Sequence, residues 1–103
     1  MYRNSESYSV VKKILMESVP HTKILKLREE GETLIVVTLN METFFLNEVA
    51  KDFIKLCDGK RRLIEIIENL GEIYDVEKNI LTDDLMEITR DFQYKRILHM
   101  EVV

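Results

Sequence analysis

Few side chains of this chain could do chemistry, and their spacing fits neither a catalytic nor a metal site. The two histidines, His21 and His99, lie near opposite ends of the chain, and no ligand-spaced residue accompanies either one. Cys57 falls on the apolar stripe of a predicted helix, where a buried structural thiol is expected rather than a nucleophile. The three glycines form no phosphate-binding loop. We therefore predict a protein that is not an enzyme, binds no metal and uses no cofactor.

Acidic residues outnumber basic ones, which bears on the kind of partner. The chain carries 19 Asp and Glu against 15 Lys and Arg, a formal net charge of −4. Because neutralised phosphates supply most of the affinity for nucleic acid, this balance argues against a nucleic-acid partner. The densest acidic group, Asp83, Asp84 and Glu87, lies on a predicted helix, where a solvated surface is the ordinary interpretation.

Length and composition favour one small folded domain. The chain has 103 residues, of which 46% are hydrophobic, enough for a small core. Its one cysteine excludes an internal disulfide and fits a reducing compartment. No apolar run approaches the roughly 20 residues that span a bilayer, and the N-terminus lacks the order of a signal peptide. We expect a cytoplasmic protein without a membrane partner.

The first half of the chain predicts a helix and then three strands. Apolar residues recur at helical spacing over 8–19, and Pro20 ends that pattern. Two apolar runs, 24–27 and 33–39, form a hairpin around a glycine, and a third strand covers 43–46. The run over 33–39 is apolar on both faces, so both faces of the sheet should be covered. We expect the second cover to be the helix over 8–19, with a dimer partner as the competing interpretation.

The second half predicts three helices and a short closing strand. Asn47 can cap the first helix and Asp75 the third. Each helix has an apolar stripe, and in the third the stripe falls at steps of four, three and four residues. Ile97-Leu98 could form the closing strand or an apolar anchor. Three strands followed by three helices indicate an α+β domain.

One stretch, over 43–59, resembles a known family. It combines a short apolar strand, Leu46-Asn47, a helix and then Leu56-Cys57-Asp58-Gly59, as the PqqD-like proteins do. Those proteins recognise precursor peptides in the biosynthesis of ribosomally synthesised, post-translationally modified peptides (RiPPs). The likeness covers roughly 23–98 and implies a winged-helix-like arrangement: a three-stranded antiparallel sheet, three helices and an extra N-terminal helix. Residues 1–22 would be an N-terminal extension, and 23–103 the peptide-recognition domain.

The resemblance also implies a binding site for a leader peptide. An outer strand of a sheet has a free edge, to which an extended peptide can add as a further strand. The leader would lie antiparallel to the third strand, in a cleft walled by the third helix. The predicted peptide-binding residues are Thr43, Phe44, Phe45 and Leu46 on the strand and Ile80, Asp84, Glu87 and Asp91 on the helix, with Tyr94 as a further candidate. Phe44 and Leu46 should first serve the core, whereas Phe45 should pack against the N-terminal helix.

The chain departs from the family pattern in three places. A glycine is common where Arg96 stands, so the last helix should be capped differently. A small polar residue usually opens the second helix, where Arg61-Arg62 stand, and the first twenty residues lie outside the match. None of these departures removes the implied cleft, although the extra helix could occupy it or support a homodimer.

Three functions compete. The first is a non-catalytic adaptor that binds the leader of a precursor peptide and presents it to a modifying enzyme, such as a radical-SAM maturase or a leader peptidase. The basic run Lys60-Arg61-Arg62 is a candidate docking patch for that enzyme. The alternative is a winged-helix DNA-binding regulator, against which the carboxylates of the third helix argue. The third is a structural or regulatory subunit whose apolar sheet face binds a partner permanently.

Overall fold

The computed structural model describes the backbone of residues 5–103 and the side chains of residues 9–103. Over this range the elements are α1 (Ser5–Glu17), β1 (Val19–Thr22), β2 (Ile24–Glu30), β3 (Thr33–Thr38), β4 (Thr43–Leu46), α2 (Glu48–Leu56), α3 (Leu63–Tyr74), α4 (Lys78–Tyr94) and β5 (Leu98–Glu101). None of these helices is both long enough and apolar enough to traverse a lipid bilayer.

A three-stranded antiparallel sheet, in the order β2-β3-β4, forms one layer of the fold. Gly31 turns the chain between β2 and β3 with a φ of 61°, as the sequence predicts. The register places Val36 opposite Phe44 and Leu34 opposite Leu46. Because side chains alternate between the faces of a strand, these four residues point to the inner face. Both β3 residues are fully buried there.

The outer face of this sheet is not covered by α1, contrary to the expectation from the sequence. The helix packs on α3 instead, and Lys12 Nζ lies 3.7 Å from Asp83 Oδ1 of α4. Leu15, near the end of α1, joins the buried core. Phe45 is 71% exposed, so its expected packing against the N-terminal helix is wrong. The apolar outer face of β3 predicted that α1 would cover it, and this prediction is wrong.

A second sheet of two strands joins the N-terminal segment to the end of the chain. β1 and β5 are antiparallel, with Pro20 opposite Met100 and His21 opposite His99. In the sequence Pro20 predicts only the end of a helix, yet it lies within β1, a strand that the sequence pattern does not reveal. Proline fits here because β5 is the only described strand paired with β1, whose other side makes just an isolated bridge between His21 and Asp58, and proline is tolerated in such an edge strand. The division between 1–22 and 23–103 stays a prediction, although β1 of the first part pairs with β5 of the second.

The helices α2, α3 and α4 close the core beneath the inner face of the larger sheet. Phe53 of α2 stacks on Phe92 of α4 with ring centroids 6.2 Å apart, and both rings are buried. Asn47 caps α2 as predicted, since its Oδ1 accepts a hydrogen bond of 2.9 Å from Ala50 N–H. The prediction that Asp75 caps the start of α4 is wrong, because Glu77 holds that position. Asp75 ends α3 in a left-handed conformation instead, with a φ of 50°.

Arg96 closes the last helix in the conformation that usually favours glycine. Its φ is 61°, its N–H donates to Gln93 C=O at 3.1 Å, and Ile97 N–H donates to Phe92 C=O at 2.8 Å. The left-handed cap is thus kept without glycine, whereas the sequence suggested a different cap. A non-glycine residue in this region costs on the order of 1 kcal/mol.

Candidate functional site

The free edge of β4 presents backbone groups that no described strand uses. Thr38 N–H donates to Glu42 C=O at 2.8 Å, which makes this a hydrogen-bonded pair of the β3–β4 ladder. Such pairs alternate along an antiparallel ladder, so Phe44 also turns its N–H and C=O towards β3. Thr43 and Phe45 therefore turn theirs away from β3. Across the described strands nothing pairs with that side of β4, so two donors and two acceptors stay available.

A cleft of about 630 Å³ opens beside the end of β4. One wall is α4, and the other side comes from the start of α2 and the connection between α3 and α4. The lining residues are Asn47, Val49, Tyr74, Val76, Leu81, Asp84, Glu87, Ile88 and Asp91. The volume lies within the roughly 300–1,000 Å³ that is usual for ligand sites in proteins.

The wall helix runs alongside β4, which relates the cleft to the free edge. Leu81, near the start of α4, lines the cleft together with Asn47, the residue that follows β4. At the other end of the helix, Lys95 Nζ lies 5.2 Å from the ring centroid of Phe44. The helix and the strand are therefore aligned in opposite directions.

Three of the four helix residues predicted for the site line this cleft. They are Asp84, Glu87 and Asp91. Ile80 does not line it and is 54% exposed, and Tyr94 borders a different depression, next to α1. Their roles in peptide binding stay predictions.

The four predicted strand residues divide by face, and none of their side chains lines the cleft. Leu46 is buried and Phe44 is half-buried against the core, as expected. Thr43 and Phe45 are exposed on the outer face. In strand addition, Thr43 and Phe45 would therefore contribute their backbone N–H and C=O groups rather than their side chains.

Six lining residues were not among the predicted site residues: Asn47, Val49, Tyr74, Val76, Leu81 and Ile88. Helical periodicity could have found two of them, because Leu81 and Ile88 lie three and four residues from Asp84 and so border the acidic stripe. The remaining four come from α2, α3 and the loops, whose approach to α4 is a tertiary feature.

The wall formed by α4 is negatively charged, and part of that charge is uncompensated. Asp91 Oδ2 accepts a hydrogen bond of 2.8 Å from Lys95 Nζ. Asp84 and Glu87 have no basic partner within 4 Å among the side chains of residues 9–103. No lining residue is basic. The cleft thus favours a positively charged occupant over a negatively charged one.

Tyr74 is held neutral on the other side of the cleft. Its hydroxyl donates a hydrogen bond to the carboxylate of Asp52. That hydrogen bond, with smaller contributions from burial and from the charges of Asp52 and Glu48, raises the pKa of Tyr74 to about 12. The phenol therefore stays protonated near neutral pH and offers the cleft a partly apolar ring.

The described residues show no grouped metal ligands and no activated cysteine. Side chains 9–103 contain no group of three His, Cys, Asp or Glu that could hold a metal ion. Burial, assisted by the charge of Asp58, raises the pKa of the Cys57 thiol to about 12. A thiol that stays protonated is a poor nucleophile, and its Sγ–H donates to Phe53 C=O at 3.2 Å.

A comparison with models of protein families matches residues 36–98 to Coenzyme PQQ synthesis protein D (PqqD). The match covers more than half of the chain and includes β4, α2, α3 and α4. The chain belongs to the PqqD family. This confirms the resemblance seen in the sequence. A sequence search among curated proteins found no match.

Two solved structures share the fold of this PqqD-family protein. TbiB1, in complex with the TbiA(beta) leader peptide, has a TM-score of 0.67 at 20% identity, over 75% of this chain and 94% of its own. The PqqD truncation of Methylobacterium extorquens PqqCD was solved by NMR and is described as a functional, stand-alone RiPP recognition element. It has a TM-score of 0.66 at 26% identity, over 79% of this chain and 88% of its own. The predicted α+β fold is confirmed, and the DNA-binding alternative is not favoured.

Proposed function

We propose that this PqqD-family protein is a non-catalytic adaptor for a ribosomal precursor peptide. It would bind the leader segment by strand addition to β4 and present it to a modifying enzyme. The observation that carries the proposal is the open edge of β4 beside the cleft walled by α4. Its fold neighbour TbiB1 was solved with a leader peptide, and the neighbour from M. extorquens is described as a recognition element, which supports the same role here.

In this proposal the leader lies antiparallel to β4. Its backbone pairs with the N–H and C=O groups of Thr43 and Phe45, while Phe44 and Leu46 hold the strand on the core. Alternate leader side chains face the cleft, where Asp84, Glu87 and Asp91 form the charged part of the wall. Ile80 is exposed one helical turn before Asp84 on α4, and we propose that it contacts the leader outside the cleft.

The expected strength of the backbone pairing shows why the cleft is needed. Four edge hydrogen bonds at about 0.5–1.5 kcal/mol each contribute about 2–6 kcal/mol. Micromolar affinity requires about 8 kcal/mol, so backbone pairing by itself falls short. A large apolar side chain buried in the cleft adds about 1.5–3 kcal/mol. Affinity and selectivity therefore depend on what the leader places in the cleft.

The second partner would be the enzyme that receives the leader, for which a radical-SAM maturase or a leader peptidase is our proposal. The basic run at 60–62 is a weaker docking candidate than its sequence suggested. Arg61 Nη1 lies 3.1 Å from Asp58 Oδ2, and Arg62 Nε lies 3.3 Å from Glu65 Oε1, so two of its three charges are compensated locally. We place the adaptor in the cytoplasm, where ribosomal precursors are made, and propose that α1 could support a homodimer.

The test is an NMR titration of the isotopically labelled protein with leader peptides from short open reading frames beside its gene. We expect saturable binding, with the amides of Thr43 and Phe45 shifted and newly protected from solvent exchange. A scrambled leader of the same composition is the control. Saturable binding that leaves both amides unchanged would refute strand addition, and no binding by any neighbouring leader would refute the adaptor role.

A further inference from the structure

We infer, on the basis of the proposed function, that the cleft selects leader segments with a Lys or Arg facing α4 and an apolar residue two positions away. The first observation is the sign of the charge around the cleft. Asp84 and Glu87 lack a basic partner among residues 9–103, and none of the nine lining residues is basic. On the far side, the carboxylates of Asp52 and Glu48 act on Tyr74. Neither of these two carboxylates lines the cleft, so the carboxylates that the occupant meets are those of α4.

Spacing sets how many leader side chains can use this wall. From Asp84 to Asp91 the helix rises about 10 Å, at about 1.5 Å per residue. A leader strand advances about 3.3 Å per residue, and every second side chain faces the wall, so two wall-facing positions fit that length. Asp84 and Glu87 are three residues apart on one helix face, so one cation can lie between them. The second position lies over the apolar part of the lining, at Leu81 and Ile88.

The charge is unequal along the cleft, which gives the leader a direction. Lys95 neutralises Asp91 at the end nearest Phe44. The uncompensated carboxylates, Asp84 and Glu87, therefore lie towards the end nearest Asn47. In a leader antiparallel to β4, the residues at that end come first along the peptide. We place the basic residue in the N-terminal half of the paired segment.

The same charges disfavour acidic leaders. A Glu or Asp at the wall-facing position would meet two like charges, whereas Lys or Arg meets two opposite ones. Removing both carboxylates deletes two exposed ion pairs, which should weaken the binding of a basic leader about tenfold. The preference should also fall with rising ionic strength, because salt screens exposed charges.

The experiment is a selection of random 12-residue peptides displayed on phage against the full 103-residue protein. Parallel selections use the variant Asp84→Asn/Glu87→Gln and the matched control Glu32→Gln/Glu72→Gln. The control removes the same charge from exposed residues outside the cleft. Enriched peptides are then synthesised, and their affinities are measured by fluorescence anisotropy at low and high salt. Phe45→Pro, which removes an edge donor, identifies the peptides that bind at β4.

We expect the original protein and the control to enrich Lys or Arg two positions from an apolar residue. The cleft variant should lose that enrichment and bind the selected peptides about tenfold more weakly. This inference would be overturned if the peptides that depend on the β4 edge showed no preference for Lys or Arg. It would also be overturned if they bound the cleft variant as tightly as the original protein. Strand addition would stand in either case. If no enriched peptide depends on the β4 edge, the proposed function fails, and this inference fails with it.

Discussion

Phe45 allows the edge backbone to be tested separately from the fold. Its N–H points away from β3, and its side chain is 71% exposed. Phe45→Pro removes the ring and the N–H, whereas Phe45→Ala removes the ring and keeps the N–H. The difference in leader binding between the two variants therefore measures the effect of losing one edge N–H and of filling the space beside it.

The expected difference in binding follows from the geometry of strand addition. Losing one backbone hydrogen bond costs about 0.5–1.5 kcal/mol. The proline ring also projects into the gap of about 4.8 Å between neighbouring strands, where a leader backbone would lie. Together we expect a loss of about 2 kcal/mol relative to Phe45→Ala, which is roughly thirtyfold in Kd. The free energy of unfolding of the two variants should differ by less than about 1 kcal/mol, because proline is tolerated where an edge N–H faces solvent.

The assay is fluorescence anisotropy with a labelled leader peptide, together with urea unfolding of both variants. Unfolding curves that superimpose would show that any loss of binding is local to the edge. The reasoning would be refuted by two folded variants that bind the leader equally tightly, because strand addition cannot be indifferent to an edge proline.

Two further predictions concern stability and proton binding. Gly59→Ala should lower the free energy of unfolding by about 1–2 kcal/mol more than Gly31→Ala, because both positions have a positive φ but only at Gly59 would a Cβ lie 3.0 Å from His21 Nδ1. Urea unfolding measures this difference, and equal losses would contradict the steric explanation. The hydrogen bond from Tyr74 raises its pKa to about 12, so its stabilisation should be complete below about pH 10 and disappear as the pH rises towards 12. Asp52→Asn should lower the pKa of Tyr74, which an NMR titration of the tyrosine ring can follow; an unchanged pKa would contradict this assignment.

Local features of the amino-acid sequence determined most of the elements of this protein. The apolar periodicity of the three C-terminal helices, the turn at Gly31 and the cap at Asn47 depend on residues only a few positions apart. The acidic stripe of α4 is equally local, because its members recur at helical spacing. These features, with the motif over 43–59, were sufficient for the fold class and for the family.

The tertiary structure decided which faces and edges stay open. β1 becomes a strand only because β5, nearly eighty residues later, pairs with it, and no local pattern marks such a partner. The continuous apolar run in β3 would suit a covered or an open outer face, and the packing of α1 on α3 leaves Phe45 exposed. The cleft likewise needs α2, α3 and α4 in place. Periodicity reports which residues share a face, whereas long-range packing decides what that face meets.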